Sequence, residues 1–251
     1  MTVQTHTDGN VFVVTIRRPD KRNALDEAHA LALDAAFGQF ERDIDLRVAV
    51  LTGTADCFCS GADIAARVAG QQIMNERGLA GFTHRERAKP VIAAVEGVAY
   101  GGGFELVLAC DLVIAAETAS FAFPEVKRGF VPAAGGAYRL SWALPGPVAM
   151  ELLLTGAALP AKRAYAWGLV NRLSARGAAL EAALELARDI AGNAPLAVRS
   201  ARKVVLATRS MTDSEAMALL TAEYAALQQT ADYREGPRAF LEKRPPRWTG
   251  T

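Results

Sequence analysis

From Val91 to Ala116 the chain carries its longest apolar stretch, broken by charges at Glu96, Glu105 and Asp111. Charges inside a membrane-spanning helix are costly, so a stretch of this kind has to be buried in protein instead. Its first segment, Val91 to Val95, and the earlier segment Arg47 to Leu51 are short and almost wholly apolar. That pattern predicts strands covered on both faces, as in a parallel sheet flanked by helices. A further strand is expected at Leu112 to Ala115, a short one near Ser120 to Phe123, and another in the β-branched run Val11 to Ile16, which ends in the turn Arg18-Pro19-Asp20.

Between these strands the texture is helical. Asn23 or Asp26 can cap a helix running to about Asp43, with Leu25, Leu31, Leu33, Phe37 and Phe40 as an apolar face. Strand and helix alternate to about residue 173, which argues for a layered α/β core. Beyond it come three helical segments, Ala178 to Ala191, Leu196 to Thr208 and Asp213 to Thr230, then a last one near Asp232 to Lys243, stopped by Pro245-Pro246. We divide the chain into a core, 1–194, and a helical module, 195–251. The stretch Ala65 to Arg87, with three glycines and several charges, reads as a lid over a site or as a solvated surface helix.

Charge narrows the range of partners. Among 251 residues, 28 Lys and Arg face 27 Asp and Glu, a formal charge of +1. A nucleic-acid binder needs a strongly basic face, so that class is set aside. Three scattered histidines leave no metal-ligand pattern, and three cysteines form no disulfide framework or CxxC pair. Cys57, Cys59 and Cys110 are expected as buried thiols. Absence of a charged-then-apolar leader suggests a cytoplasmic protein, with no membrane partner.

Phosphate-loop, dinucleotide-binding and nucleophile-elbow signatures are all missing. Two other segments carry chemical potential. Phe58-Cys59-Ser60-Gly61-Ala62-Asp63-Ile64 is rich in small residues that allow close backbone approach, or is simply a turn capped by Asp63. Gly101-Gly102-Gly103 opens a helix, so backbone N–H groups face outward with the positive end of the helix dipole behind them. Glu105 lies in the first turn of that helix, pointing inward among apolar neighbours or serving only the helix dipole. Glu125 follows Phe121-Ala122-Phe123-Pro124 and precedes the turn Ala133-Ala134-Gly135-Gly136. Two carboxylates beside two glycine-rich N–H turns are the ingredients of acid–base chemistry next to an oxyanion.

In order and spacing these segments resemble the crotonase (enoyl-CoA hydratase/isomerase) superfamily over nearly the whole chain. The resemblance runs from Asn23-Ala24-Leu25 through Ser60-Gly61-Ala62-Asp63-Ile64, Lys89 to Gly97, Gly101 to Leu106 and Gly135 to Leu140, to Ala239 to Arg244. It implies an α/β fold, a crotonase-like spiral of β-β-α units with a C-terminal helical trimerisation module, in a homotrimer or dimer of trimers. It implies an acyl-CoA thioester substrate, no separate cofactor since CoA is part of that substrate, and an oxyanion hole at Ala62 and Gly102. Glu105 and Glu125 become the catalytic pair, Glu105 holding water and Glu125 giving the proton. Lys21, Arg22, Ala24, Ser60, Asp63, Ile64, Phe240 and Lys243 become substrate or CoA contacts. The expected activity is 2-enoyl-CoA hydration in fatty-acid breakdown. Its rivals are a hydratase or dehydratase of an unusual acyl-CoA such as carnitinyl-CoA, an enoyl-CoA isomerase, and a noncatalytic acyl-CoA binder.

Overall fold

The computed structural model describes residues 2–251. Its first layer is a six-stranded sheet. β1 (Val3–Asp8) and β2 (Val11–Ile16) form an antiparallel hairpin, and parallel strands follow in the order β3 (Val48–Thr52), β6 (Val91–Val95), β8 (Leu112–Ala116) and β11 (Arg172–Ser174). The continuous apolar runs are explained by cover on both faces. On one side Val11, Val13, Val48, Val50, Ile92 and Ile114 pack under α7 (Ala179–Ala191) through Ala183, Leu184 and Ala187. The alternate residues Phe12, Val14, Ala49, Leu51 and Ala93 face the main core, with α1 (Glu27–Arg42) supplying Leu33, Phe37 and Phe40.

A second, smaller sheet repeats the order of the first. β7 (Val98–Tyr100) pairs in parallel with β9 (Ser120–Ala122), which pairs with β10 (Leu159–Pro160). Single bridges extend it backwards, Cys59 to Ala99 and Leu25 to Ala62. Each turn of chain therefore lays one strand in each sheet before its helix, and successive turns stack. That is the spiral of β-β-α units that the family resemblance implies.

Asp26, not Asn23, caps α1, its carboxylate accepting from His29 N. Asn23 is instead fully buried, donating to Cys57 O at 2.6 Å. Leu31, expected on the apolar face of α1, is 64% exposed. The stretch after Ala65 is not a single solvated helix. It comprises α2 (Ile64–Val68), the two-residue strands β4 (Met74–Asn75) and β5 (Gly78–Leu79), and a tail whose Leu79, Ala80 and Phe82 enter the main core. Cys57 and Cys59 are buried and Cys110 half-buried; burial pushes the thiols of Cys59 and Cys110 up to about 12.

After β9 come α4 (Gly136–Ala143), α5 (Gly146–Thr155) and α6 (Ala161–Ala166). The chain ends in α8 (Pro195–Ala207), α9 (Asp213–Leu227) and α10 (Ala231–Leu241). The tail folds back onto the core: Trp248 Nε1 donates to Gly192 O at 2.8 Å and Arg47 Nη2 to Trp248 O at 3.2 Å. Among the described residues no helix is long and apolar enough to cross a membrane.

Candidate functional site

β7 leads into α3 (Gly102–Ala109), and the loop from Cys59 to Asp63 runs beside their junction. Glycines permit the approach. Gly61 adopts φ +103°, and a Cβ there would stand 2.9 Å from Tyr100 O and 3.2 Å from Gly102 N. A Cβ on Gly102 would in turn stand 3.7 Å from Ala62 N. The backbone nitrogens of Ala62 and Gly102 thus lie close together, with the Leu79 side chain beside them. Among the described residues neither donates to a protein acceptor: Leu25 N donates to Gly61 O and Leu25 O accepts from Asp63 N, passing Ala62 by, and Gly102 is the first residue of its helix. Two half-buried, unspent donors are what a developing thioester oxyanion requires.

Glu105 points inward. It is 5% exposed, and its Oε1 accepts from Ala134 N at 2.6 Å and Gly136 N at 3.0 Å. Burial raises its pKa, opposed by those two N–H groups and by the Arg139 cation. Glu125 sits in the short helix Pro124–Arg128, against the same turn as Gly102: a Cβ on Gly101 would lie 2.9 Å from its Oε1. Its Oε2 is buried and has no hydrogen-bond partner among the described residues. Burial, with the Glu105 carboxylate adding to it, pushes Glu125 up to about 7. One carboxylate is therefore held by donors, and the other is placed to carry a proton.

The expected CoA-side residues divide into groups. Ser60 N donates to Arg22 O and Asp63 N to Leu25 O, which brings Lys21, Arg22 and Ala24 alongside Ser60. Lys21 and Arg22 are exposed, and Arg22 lines a cavity of about 510 Å³ with Thr54, Asp56 and Cys57. Asp63 acts locally, capping α2 through Ala65 N and Ala66 N and pairing with Arg18 at 2.8 Å. Ile64 is 57% exposed beside it. Phe240 and Lys243 lie in and just after α10, both exposed.

Arg139 belongs to the segment Gly135 to Leu140, and sequence reasoning assigns it no role. Its Nη1 donates to Ala134 O at 2.9 Å and its Nη2 to Thr83 O, tying the turn that holds Glu105 to the segment after β5. His84 Nε2 and Tyr138 OH meet at 3.2 Å across the same seam. The partners that make this seam, Thr83 for Arg139 and Tyr138 for His84, lie more than fifty residues away, so no local signal announces it.

The chain matches the family model described as enoyl-CoA hydratase/isomerase over residues 6–251. It is 40% identical over 252 residues to a carnitinyl-CoA dehydratase of Salmonella typhi, covering 97% of this chain and 96% of that one. Among solved structures it is similar to an enoyl-CoA hydratase of Mycobacterium tuberculosis, with TM-score 0.97 and 42% identity over 100% of this chain and 99% of the other. A carnitinyl-CoA hydratase of Mycobacterium avium superposes with TM-score 0.80 at 41% identity, over 100% and 99% of the two chains.

Proposed function

The chain belongs to the enoyl-CoA hydratase/isomerase family, and from that premise we propose that it is a hydro-lyase adding water across the double bond of a 2-enoyl-CoA thioester. The observation that carries this reading is the asymmetry of the two glutamates beside an unspent N–H pair. The thioester oxygen accepts from Ala62 N and Gly102 N, so charge that builds on it during addition is met by fixed donors. One such donor is worth roughly 3 to 4 kcal/mol in the transition state. Glu105, its Oε1 held by Ala134 and Gly136, orients water and takes one of its protons while the water oxygen bonds to C3. Glu125 delivers its proton to C2, and proton exchange with solvent restores the pair.

Lys21 and Arg22 serve the CoA phosphates, with Ala24, Ser60, Asp63 and Ile64 along the thioester. Phe240 and Lys243 reach the nucleotide of a neighbouring subunit in a trimer or dimer of trimers. No cofactor beyond the CoA of the substrate enters this scheme. Residues 1–194 form the working core and 195–251 the assembly module, and the enzyme serves fatty-acid or related acyl-CoA breakdown in the cytoplasm. A second reading, dehydration of a carnitinyl-type thioester, is favoured by the names of relatives at 40 and 41% identity. The same machinery run in reverse would perform it.

The test is Glu105→Gln and Glu125→Gln, assayed by loss of the conjugated-enoyl absorbance of crotonyl-CoA. Each variant should lose on the order of 10² to 10⁴ in kcat, the usual contribution of a positioned acid or base. Parental turnover in both would end the two-carboxylate mechanism.

A further inference from the structure

Two elements leave the reacting centre and meet again beyond it. α2 starts two residues after the donor Ala62, and the loop carrying Phe130 starts from Glu125, with Phe130 N donating to Glu125 O at 3.1 Å. Their meeting point is Arg67, whose Cζ stands 4.4 Å from the centroid of the Phe130 ring. The helical residues Ile64 to Arg67 span only about 4.5 Å of rise. This contact therefore joins the element that follows the oxyanion donor to the one that follows the proton donor.

Arg18 spends its charge on Asp63, the cap residue of α2. Among the described residues Arg67 makes no ion pair and no side-chain hydrogen bond; its partner is the ring. Both residues are exposed, Phe130 by 44%. An arginine stacked on an aromatic face keeps its N–H edge free for a carboxylate. The CoA half of the substrate, as proposed above, lies on the side of residues 21–24, where Arg22 O accepts from Ser60 N. The acyl tail then leaves on the other side, toward Arg67.

We propose that Arg67, stacked on Phe130, is a specificity-determining residue and that the preferred acyl group carries a carboxylate at its far end. The substrate class is a 2-enedioyl-CoA thioester. This inference rests on the thioester placement proposed above. A carboxylate five or six carbons from the thioester meets a guanidinium with no competing anion. A trimethylammonium group, as in carnitinyl thioesters, meets a like charge already seated on the aromatic face, so this inference sets aside the second reading given above, which rests on the relatives' names.

Binding of unreactive saturated analogues separates this inference from the chemistry. Calorimetry at physiological ionic strength should show adipyl-CoA binding about tenfold tighter than hexanoyl-CoA, the scale of one charge-assisted hydrogen bond, and a trimethylammonium acyl-CoA binding more weakly than either. Arg67→Gln should bring the adipyl-to-hexanoyl ratio near one, Arg67→Glu should invert it, and Arg67→Lys should keep part of it. Equal binding of the two thioesters by the parent, or a ratio that survives Arg67→Gln, overturns the proposal. Hydration of crotonyl-CoA and of 2-hexenedioyl-CoA is scored separately, and counts as failing only when neither is turned over. If it fails while the charge preference stands, the hydratase reading falls and the Arg67 assignment survives; if hydration stands without a charge preference, the assignment falls and the hydratase reading survives.

Discussion

Glu105 and Glu125 are the same side chain in two states of satisfaction, and the difference gives each a measurable consequence. Glu125 rises from an ordinary 4.5 to about 7 because burial disfavours its charge and Glu105 repels it. The native state therefore keeps a proton that the unfolded chain releases between these values. That contribution to stability is complete below pH 4.5 and is lost as pH rises through 7. Unfolding midpoints measured from about pH 5 to 8 should fall more steeply for the parent than for Glu125→Gln, and parallel curves would remove the carboxyl from this role. In kinetics the same proton predicts that kcat/KM for crotonyl-CoA turns down above pH about 7; a profile flat to about pH 9 means that the proton comes from elsewhere. The inward setting of Glu105 is legible in the sequence because it stands among Phe104, Leu106 and Val107, all buried. Asn23 and Leu31 depart from the sequence expectation for one physical reason: the partners deciding their burial are tertiary. Asn23 answers to a carbonyl thirty-four residues away, and the core reaches only one side of α1.

At the scale of elements, the spiral depends on how closely α3 can approach the second sheet. Gly103 sits at that contact, and a Cβ there would stand 2.2 Å from Cys59 O, a rigid backbone atom. Gly103→Ala should therefore cost about 1 to 3 kcal/mol and lower hydration activity, because the shift that relieves the clash also moves Gly102 N. Gly146 opens α5 with nothing within 4 Å of the same added atom. Gly146→Ala should gain about 0.4 to 1 kcal/mol with activity unchanged. Urea unfolding of the two variants checks both signs, and similar behaviour would mean that packing at Gly103 does not position the oxyanion turn. The main strands and long helices are legible because burial on two faces or on one stripe writes a clear apolar pattern. Residues 65–87 are not, since strands of two residues carry no periodicity and the burial of Leu79 and Phe82 depends on a turn made by positive-φ Gly78, Ala80 and Gly81.

The whole molecule leaves one imbalance. α9 buries no residue within its own chain, although it presents Met217, Leu220 and Tyr224 at half exposure, and α10 leaves Phe240 and Leu241 81% and 80% exposed. Apolar surface grouped on neighbouring helices, with a tail pinned to the core by Trp248, suits a subunit that completes its burial against copies of itself. Sedimentation should give three or six chains per particle for the parent and one for Leu220→Asp combined with Leu241→Asp. A monomeric parent ends the assembly reading. Because Phe240 and Lys243 are assigned to a neighbour's nucleotide, dissociation also has a selective kinetic effect. KM for crotonyl-CoA should rise several-fold in the monomeric variant while that for crotonyl-pantetheine, which lacks the nucleotide, stays unchanged. An equal rise for both thioesters would trace the loss to a disturbed core and leave the terminal helix without a part in binding CoA.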